Sequence, residues 1–491
     1  MSSIDLPEGW AAATLDEFTQ SRGSSVDPAK FLREAFELYS VPSYETGAPE
    51  RVSGSEIGSA KQAVDPGSVL LCKINPRINR SWMVGEHKGV RQIASTEWIV
   101  FPRANALRPD FLRLYLRQNS IRDFLAQNVS GVGGSLMRVK ASTLKGFPVP
   151  VPPLKEQSRI VEKIEVLFAE LDKGEESLRA VQKLLERYRQ SVLKAAVTGQ
   201  LTADWRAENA HRHEEGRELQ NRILRGRRET WEGRGKYKEP NTPSLSGLPV
   251  LPDGWVWTSL GALISSGPQN GVYLPQGKYG AGVPILRIDD YQVDWLRGRD
   301  QLRMVDADAP DRVRFSLGAG DFVVNRVNSV SHLGKSLLVP NGYEGILFES
   351  NMMRFSVTDE VSKEYLALYL TSELGRKRLI QNCKHAVNQA SINQGDVAAT
   401  PVPLPPLAEQ RVIALKVAEE VSRETASKVI CETELARSAA LRQSILKDAF
   451  AGRLVPQDPD DEPAAELLAR IRAERATEAP KPRRKTARQS A

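Results

Sequence analysis

The residues of this chain best placed for chemistry are cations and amides in two sets, one in each half. In the first half, Lys73, Asn75, Arg77, Arg80, Lys88, Arg91, Arg138 and Lys140 flank strand-like runs or sit in Gly/Ser-containing loops. In the second, Arg287, Arg326, Asn328, Lys335, Asn351, Gln389, Asn393 and Gln394 occupy similar places. Arg and Lys can bond guanine edges, and Asn and Gln can do the same for adenine. Lys and Ser side chains on phosphates would fix register without carrying sequence information. Each set is therefore a candidate DNA face. The formal net charge of +7 and pI near 9.1 suit a polyanion partner, whose neutralised phosphates release counterions.

Catalytic patterns fail on their spacing. Gly334-Lys335-Ser336 looks like the end of a phosphate-binding loop, but Ser329 stands where that loop needs glycine. Asn75-Pro76-Arg77 lacks the second proline and the aromatic of an Asn-Pro-Pro-aromatic methyl-transfer loop. Asp65 with Glu86-His87-Lys88 has the carboxylate and Glu-x-Lys arrangement of a Mg²⁺ nuclease, yet the second half offers no counterpart. Cys72, Cys383 and Cys431 form neither a disulfide framework nor a zinc spacing, and the five histidines do not cluster with them. No metal site is expected. No run of about 18 apolar residues and no signal pattern is present, so a cytoplasmic chain with no membrane partner is expected.

The elements that must position these residues come in duplicate. Pro152-Pro153-Leu154-Lys155-Glu156-Gln157 returns as Pro405-Pro406-Leu407-Ala408-Glu409-Gln410, with Pro153 and Pro406 set 253 residues apart. Arg189-Gln190-Ser191-Val192-Leu193-Lys194 returns as Arg442-Gln443-Ser444-Ile445-Leu446-Lys447, and Gly199 as Gly452, at the same shift. Leu6-Pro7-Glu8-Gly9-Trp10 matches Leu251-Pro252-Asp253-Gly254-Trp255, and Glu218-Leu219 with Arg222-Ile223 matches Glu466-Leu467 with Arg470-Ile471. Collinear matches at nearly one shift establish an internal repeat. Residues 11–60 and 258–310 show little resemblance, so a shared scaffold carries two diverged parts.

The Pro-rich stretches 147–153 and 401–406 can be neither helix nor central strand and read as stiff, extended exits from a module. Beyond the first, Ile160, Ile164, Leu167, Leu171, Gly174, Leu178, Val181, Leu185, Tyr188 and Val192 step by fours and threes. That is a coiled-coil seam. Its natural partner is the second copy, with Ile413, Val417, Val421, Leu435, Leu441, Ile445 and Ala449, expected antiparallel by two-fold packing of related units. Strand-like runs at 69–71, 98–101, 283–288, 322–324 and 352–357, with helices at 110–127 and 363–381, make the modules mixed α/β. Loops are expected at 128–135 and 265–282. The expected fold is thus α+β: two globular modules joined by two long antiparallel coiled-coil helices in a pseudo-two-fold repeat. The modules are assigned to 1–152 and 248–405, the helices to 153–205 and 406–455. A polar, solvated helical extension and linker spans 206–247, and 456–491 is a helical extension with a basic, disordered tail.

This order of module, Pro-Pro-Leu-x-Glu-Gln, long helix, twice over, resembles the specificity subunit of type I restriction–modification systems. Residues 148–157, 401–410, 189–194 with Gly199, 442–447 with Gly452, and the Leu-Pro-Glu/Asp-Gly-Trp starts carry the resemblance. Ser391-Ile392-Asn393 also fits, whereas the first module has Gly134-Ser135-Leu136-Met137 in that place. The resemblance implies a non-catalytic subunit whose two target-recognition domains read the halves of a split, asymmetric DNA sequence. It implies helices that fix the spacer and dock two modification subunits, with Leu154, Glu156, Gln157, Arg189, Gln190, Leu407, Glu409, Gln410, Arg442 and Gln443 as docking residues. It places S-adenosylmethionine, ATP and Mg²⁺ in the modification and restriction subunits, with no cofactor in this chain. A coiled-coil adaptor that binds proteins, or a single-chain DNA-modifying enzyme, are the alternatives. The first predicts no selective DNA binding, and the second predicts activity from the chain alone.

Overall fold

Proline alternation decides how the two Pro-rich segments are used. In an antiparallel pair only every second residue turns its N–H toward the partner, so prolines two apart can both face away. Pro148 and Pro150 alternate with the buried Val149 and Val151, and 148–151 pairs with the strand Ala11–Thr14. Pro401 and Pro403 alternate with Val402 and Leu404 in the same manner, paired with Val256–Ser259. The Tyr115 hydroxyl donates to the Pro148 carbonyl (2.6 Å), and Tyr369 donates to the equivalent Pro401 carbonyl. Each ribbon thus ties a module's first strand to its last.

The computed structural model describes residues 6–19, 25–129, 137–209, 214–232, 235–293, 295–386 and 389–478. The expected loop 128–135 and the basic tail therefore fall largely outside the described residues. Contacts divide the chain into two units, 1–179 with 432–491, and 180–431.

In the first unit a five-stranded sheet runs in the order Ser25–Val26, Lys61–Ala63, Arg91–Ala94, Ala35–Tyr39, Glu50–Ser53. A three-stranded sheet centres Val69–Cys72 between Ser81–Met83 and Trp98–Phe101. The core joins Phe101, Phe111 and Leu116 of the module to Ile160 and Ile164 of the first long helix. It also takes in Leu446 and Phe450 of the second long helix, and Leu467 and Leu468 beyond it.

In the second unit a four-stranded sheet orders Ile264–Asn270, Met352–Val357, Phe322–Asn325 and Ser336–Leu338, packed around stacked Phe322 and Phe355. Leu219 and Ile223 from the helix Gly216–Glu229 enter that core, so this extension carries one buried face rather than being solvated all round.

Each long helix has 44 residues, Leu154–Val197 and Leu407–Phe450. They pair antiparallel within both units. In the first, Arg442 stacks on Phe168 and reaches Asp172 and Glu175 (2.7 and 3.1 Å), and Ser438 donates to Glu175. In the second, Tyr188 donates to Glu420, Arg189 lies 3.7 Å from Glu424, and Val192 and Leu193 cluster with Ile413 and Val417. The seam is apolar at its ends, where Ile160, Ile164 and Val192 are buried. Between them Val181, Tyr188 and Leu441 stay exposed, because ion pairs take the place of apolar contact there.

Three other expectations are corrected. The helix expected at 110–127 is split into Pro109–Leu116 and Asn119–Gln127 by an extended Gln118 (ψ 147°). Its counterpart splits at Ser372, whose hydroxyl accepts from Gly375 N–H and caps a new helix. The loop expected at 265–282 is largely strand, since Ser, Gly and Pro are tolerated where the ladder with Met352–Val357 is bulged.

Both long helices end on left-handed glycines, Gly199 (φ +76°) and Gly452 (φ +70°). A Cβ at Gly452 would lie 2.2 Å from Pro7 Cγ, and one at Gly199 2.5 Å from Pro252 Cγ. The repeated glycine thus seats a repeated proline. Gly452→Ala, which meets both the backbone and the contact penalty, is expected to destabilise the chain by about 1–3 kcal/mol, read as a lowered thermal midpoint.

The repeated Glu-Gln pair is buried at each helix start. Glu156 accepts from the Trp10 indole (3.0 Å) and from Gln457, and Glu409 accepts from Trp255 (2.9 Å), Thr202 and Arg206. Gln157 accepts from Arg108 N–H and Gln410 from Ser362 N–H, the residues that open the next module helix. Burial raises the Glu156 pKa above its ordinary 4.5. Its stabilising contribution is therefore full at low pH and lost as pH rises through the folded value. Glu156→Gln should flatten stability against pH above 4.5, measured by urea midpoints across a pH series; an unchanged slope would refute this assignment.

Candidate nucleic-acid interface

In each module the central strand runs on into a segment that meets the chain just before the Pro-rich ribbon. After Val69–Cys72, Val139 N–H donates to the Lys73 carbonyl (3.0 Å) and Asn75 N–H to that of Met137 (3.0 Å). After Phe322–Asn325, Ile392 N–H donates to the Arg326 carbonyl (2.9 Å), and Val327–Asn328 pairs with Gln389–Ser391. Lys73 and Arg326, and Val139 and Ile392, are each 253 residues apart. The structural counterpart of Ser391-Ile392-Asn393 in the first module is thus Arg138-Val139-Lys140, not 134–137, whose first three residues lie outside the described ones.

This arrangement gathers Lys73, Asn75, Arg77, Arg138 and Lys140 in the first module. Lys73 is half-buried, donates to the Thr96 carbonyl (2.6 Å), and burial holds its pKa below the usual lysine value. Arg138 pairs with Glu97 (2.9 Å) but keeps half its side chain exposed, and Lys140 is exposed. Arg80 pairs with Glu45, Arg91 stacks on Phe31, and Lys88 sits on the exposed loop before Arg91–Ala94.

In the second module Arg326, Asn328, Asn351, Gln389, Asn393 and Gln394 come together. Arg326 N–H donates to the Asn351 carbonyl (2.8 Å), and its guanidinium donates to that of Ser350. Gln389 and Gln394 are exposed. Asn393 caps the helix Gln394–Ala399, accepting from Asp396 N–H. Arg287 borders the cluster through its ion pair with Glu349 (3.0 Å).

Lys335 is a correction. It is 7% exposed, donates to the carbonyls of Ile288 (2.7 Å) and Tyr291 (2.5 Å), and lies 4.4 Å from the Tyr291 ring centroid. Burial lowers its pKa. A side chain closed in this way braces the sheet and has no route to DNA.

The proposed docking residues are corrected more broadly. Glu156, Gln157, Glu409 and Gln410 are at most 1% exposed and spent on internal hydrogen bonds. Leu154 and Leu407 pack against the two cores. Arg189 and Arg442 form interhelical pairs, and the Gln443 side chain accepts from Asn119 N–H (2.9 Å). Gln190 alone of the ten is exposed, at the rim of a cleft shared with Lys194 and Lys377. The other nine are held by contacts internal to their own unit.

Sequence reasoning named Asn75, Arg77 and Asn328 but missed the shape of the turns they occupy. Asn75 (φ +46°) and Asn79 (φ +53°) are the two non-glycine residues with left-handed backbone among those described, and they bracket one short turn. Their side-chain Oδ1 atoms are buried without a hydrogen-bond partner. In the second module Arg376 donates to the carbonyls of Val330, Ser331 and Leu333 and so holds the turn at 329–333. Arg376→Met should accelerate amide hydrogen exchange across 330–333 while leaving the central strand protected; equal exchange in both proteins counts against this clamp. No group of three or more His, Cys, Asp and Glu among the described residues could hold a metal ion, and no described helix is long and apolar enough to cross a membrane.

Comparison with known proteins follows the same lines. The family model for the type I restriction modification DNA specificity domain matches residues 7–178 and 309–418. The chain is similar to the EcoKI specificity subunit of Escherichia coli K12, 28% identical over 97% of each chain. It is also similar to the StySPI specificity subunit of Salmonella potsdam, 29% identical over 97% of each. A chain from a structure of type I R-M complex assembly and conformational transition superposes with a TM-score of 0.63, at 21% identity, covering 91% of this chain and 99% of its own. The HsdS subunit from Thermoanaerobacter tengcongensis superposes with a TM-score of 0.50, at 22% identity, covering 92% and 99%. At these identities the structural likeness is one of fold.

Proposed function

The chain belongs to the type I restriction modification DNA specificity family, and from that premise we propose that it reads a split, asymmetric duplex sequence for a multisubunit enzyme without catalysing a reaction itself. The observation that carries this reading is the duplicated framework with unlike surfaces. Lys73–Asn75 and Arg326–Asn328 are held by equivalent hydrogen bonds 253 residues apart, yet the polar side chains around them differ. Two frames with different faces suit two different half-sites. Arg, Lys, Asn and Gln are the groups that bond base edges, and those exposed in the two clusters are Arg77, Arg138, Lys140, Gln389, Asn393 and Gln394.

Each helix of 44 residues is about 66 Å long at ~1.5 Å per residue, a rigid element able to fix the spacer between half-sites. Docking of two modification subunits then falls to exposed apolar helix residues, among them Val166, Leu184, Leu415, Val429 and Ile430, instead of the buried repeat motif. Those partners would bind S-adenosylmethionine, and restriction subunits would use ATP and Mg²⁺. The separation of roles agrees with a cytoplasmic complex acting on host and invading DNA. A protein-binding adaptor does not explain why cations and amides gather at equivalent places in both modules.

The test is equilibrium binding of the full chain, alone and with its modification subunits, to duplexes selected from a random pool. A two-part motif should emerge, with affinity over unselected duplex better by about a thousandfold or more and falling steeply with salt. Binding that is salt-insensitive or wholly unselective sinks the reading.

A further inference from the structure

We propose that the turns at 75–79 and 328–332 are the specificity-determining segments of the two modules, with Arg77 and Ile78 reading one half-site and Val330 and Ser331 the other. The inference rests on the DNA-recognition reading above and assigns its selectivity to particular side chains.

The two turns are the same structural position filled with different residues. Both leave the central strand at an asparagine, Asn75 or Asn328, set 253 residues apart. Asn79 N–H donates to the Pro76 carbonyl (2.9 Å), and His332 N–H donates to the Ser329 carbonyl (2.9 Å), again at that shift. The neighbouring bonds Val139 to Lys73 and Ile392 to Arg326 fix the base of each turn alike. Between these fixed points the first module carries Pro76-Arg77-Ile78 and the second Ser329-Val330-Ser331.

Apart from the exposed Lys140, the framework cations near these turns are tied to the protein. Lys73 donates to Thr96, Arg138 pairs with Glu97, Arg326 donates to Ser350, and Arg376 clamps the second turn. Arg77 is exposed and makes no ion pair or hydrogen bond among the described residues. Beside it Ile78 is 51% exposed, and in the other turn Val330 is 47% exposed. An apolar side chain held out of the core within a polar face is well matched to a thymine methyl, and a free guanidinium to the O6 and N7 of guanine. The first turn also holds its shape at a cost, with two left-handed asparagines and two buried, unpartnered carbonyl oxygens. Strain of that kind persists where the rest of the structure imposes it, and it presents Arg77 and Ile78 in one fixed geometry.

The modules thus share a reading frame and differ in the letters presented. Each turn should govern one half of the motif and leave the other untouched, which a merely structural or phosphate-binding role does not predict.

The experiment is enrichment from a random duplex pool by the full chain with its modification subunits, followed by sequencing. Arg77→Ala is expected to relax preference at guanine positions in one half-site by roughly tenfold or more, with the other half unchanged. The paired exchange Arg77→Val with Ile78→Ser should change the same half, and Val330→Ala with Ser331→Ala only the other half. Unaltered motifs in all three variants overturn the proposal, as does a uniform loss of affinity across sequences, which marks a phosphate contact. Simultaneous loss of both halves overturns it too, because a reading turn acts on one module. If the unsubstituted chain enriches no motif, it is the DNA-recognition reading itself that fails.

Discussion

Two buried carboxylates carry the architecture. Burying a glutamate carboxyl costs free energy unless its oxygens are hydrogen-bonded. Glu409 meets that demand with Trp255, Thr202 and Arg206, and Glu156 with Trp10 and Gln457. Each carboxylate sits in the first turn of a long helix and bonds the tryptophan that opens a module. Its neighbouring glutamine supplies the acceptor for the N–H at the start of a module helix. Module and long helix are therefore joined by directional bonds between buried groups. The Pro ribbons and the glycine stops are bonded to those junctions, through Gln157 on Pro152, Gln410 on Pro405, Arg206 on Gly199 and Gln457 on Gly452.

That junction explains the unequal divergence of the repeat. A residue with every polar atom committed, such as Gln157, tolerates no neutral replacement, because any change leaves a buried partner unpaired. Arg77 has no such commitments. A mutation there alters what the surface offers without disturbing the fold. Retained and altered positions thus separate by how many internal bonds each side chain holds.

Much of the fold was legible in the sequence, because periodicity and punctuation are local signals. The seam from Ile160 to Val192 announced a long helix and Pro152-Pro153 its start, and Trp98–Phe101 and Met352–Val357 read directly as strands, whereas the helix ends at Val197, short of the assigned 205. The docking residues were misread because recurrence in a repeat marks constraint without saying whether it is internal or external. Glu156 looks like any exposed helix glutamate until Trp10, far away in sequence, is placed on it. Lys335 was misread for a related reason, since its charge suggested solvent while Ile288 and Tyr291 supply carbonyls to bury it. Asn75 and Arg77 were named from sequence, but the shape of their turn was not, because left-handed backbone at asparagine leaves only a weak trace there.

The sealing of the first core has a consequence for how the chain is made. Phe111 packs edge-on to Phe450, Ala464 N–H bonds the Gly9 carbonyl, and Leu467 and Leu468 complete the same cluster. The first module is thus closed by residues that lie beyond the second module in the chain. The second module, by contrast, finds its sealing residues Leu219 and Ile223 already translated. Until those later residues are in place, part of the first apolar core stays uncovered. The first core is thus completed only once the second module, which lies between its parts in the chain, has been translated.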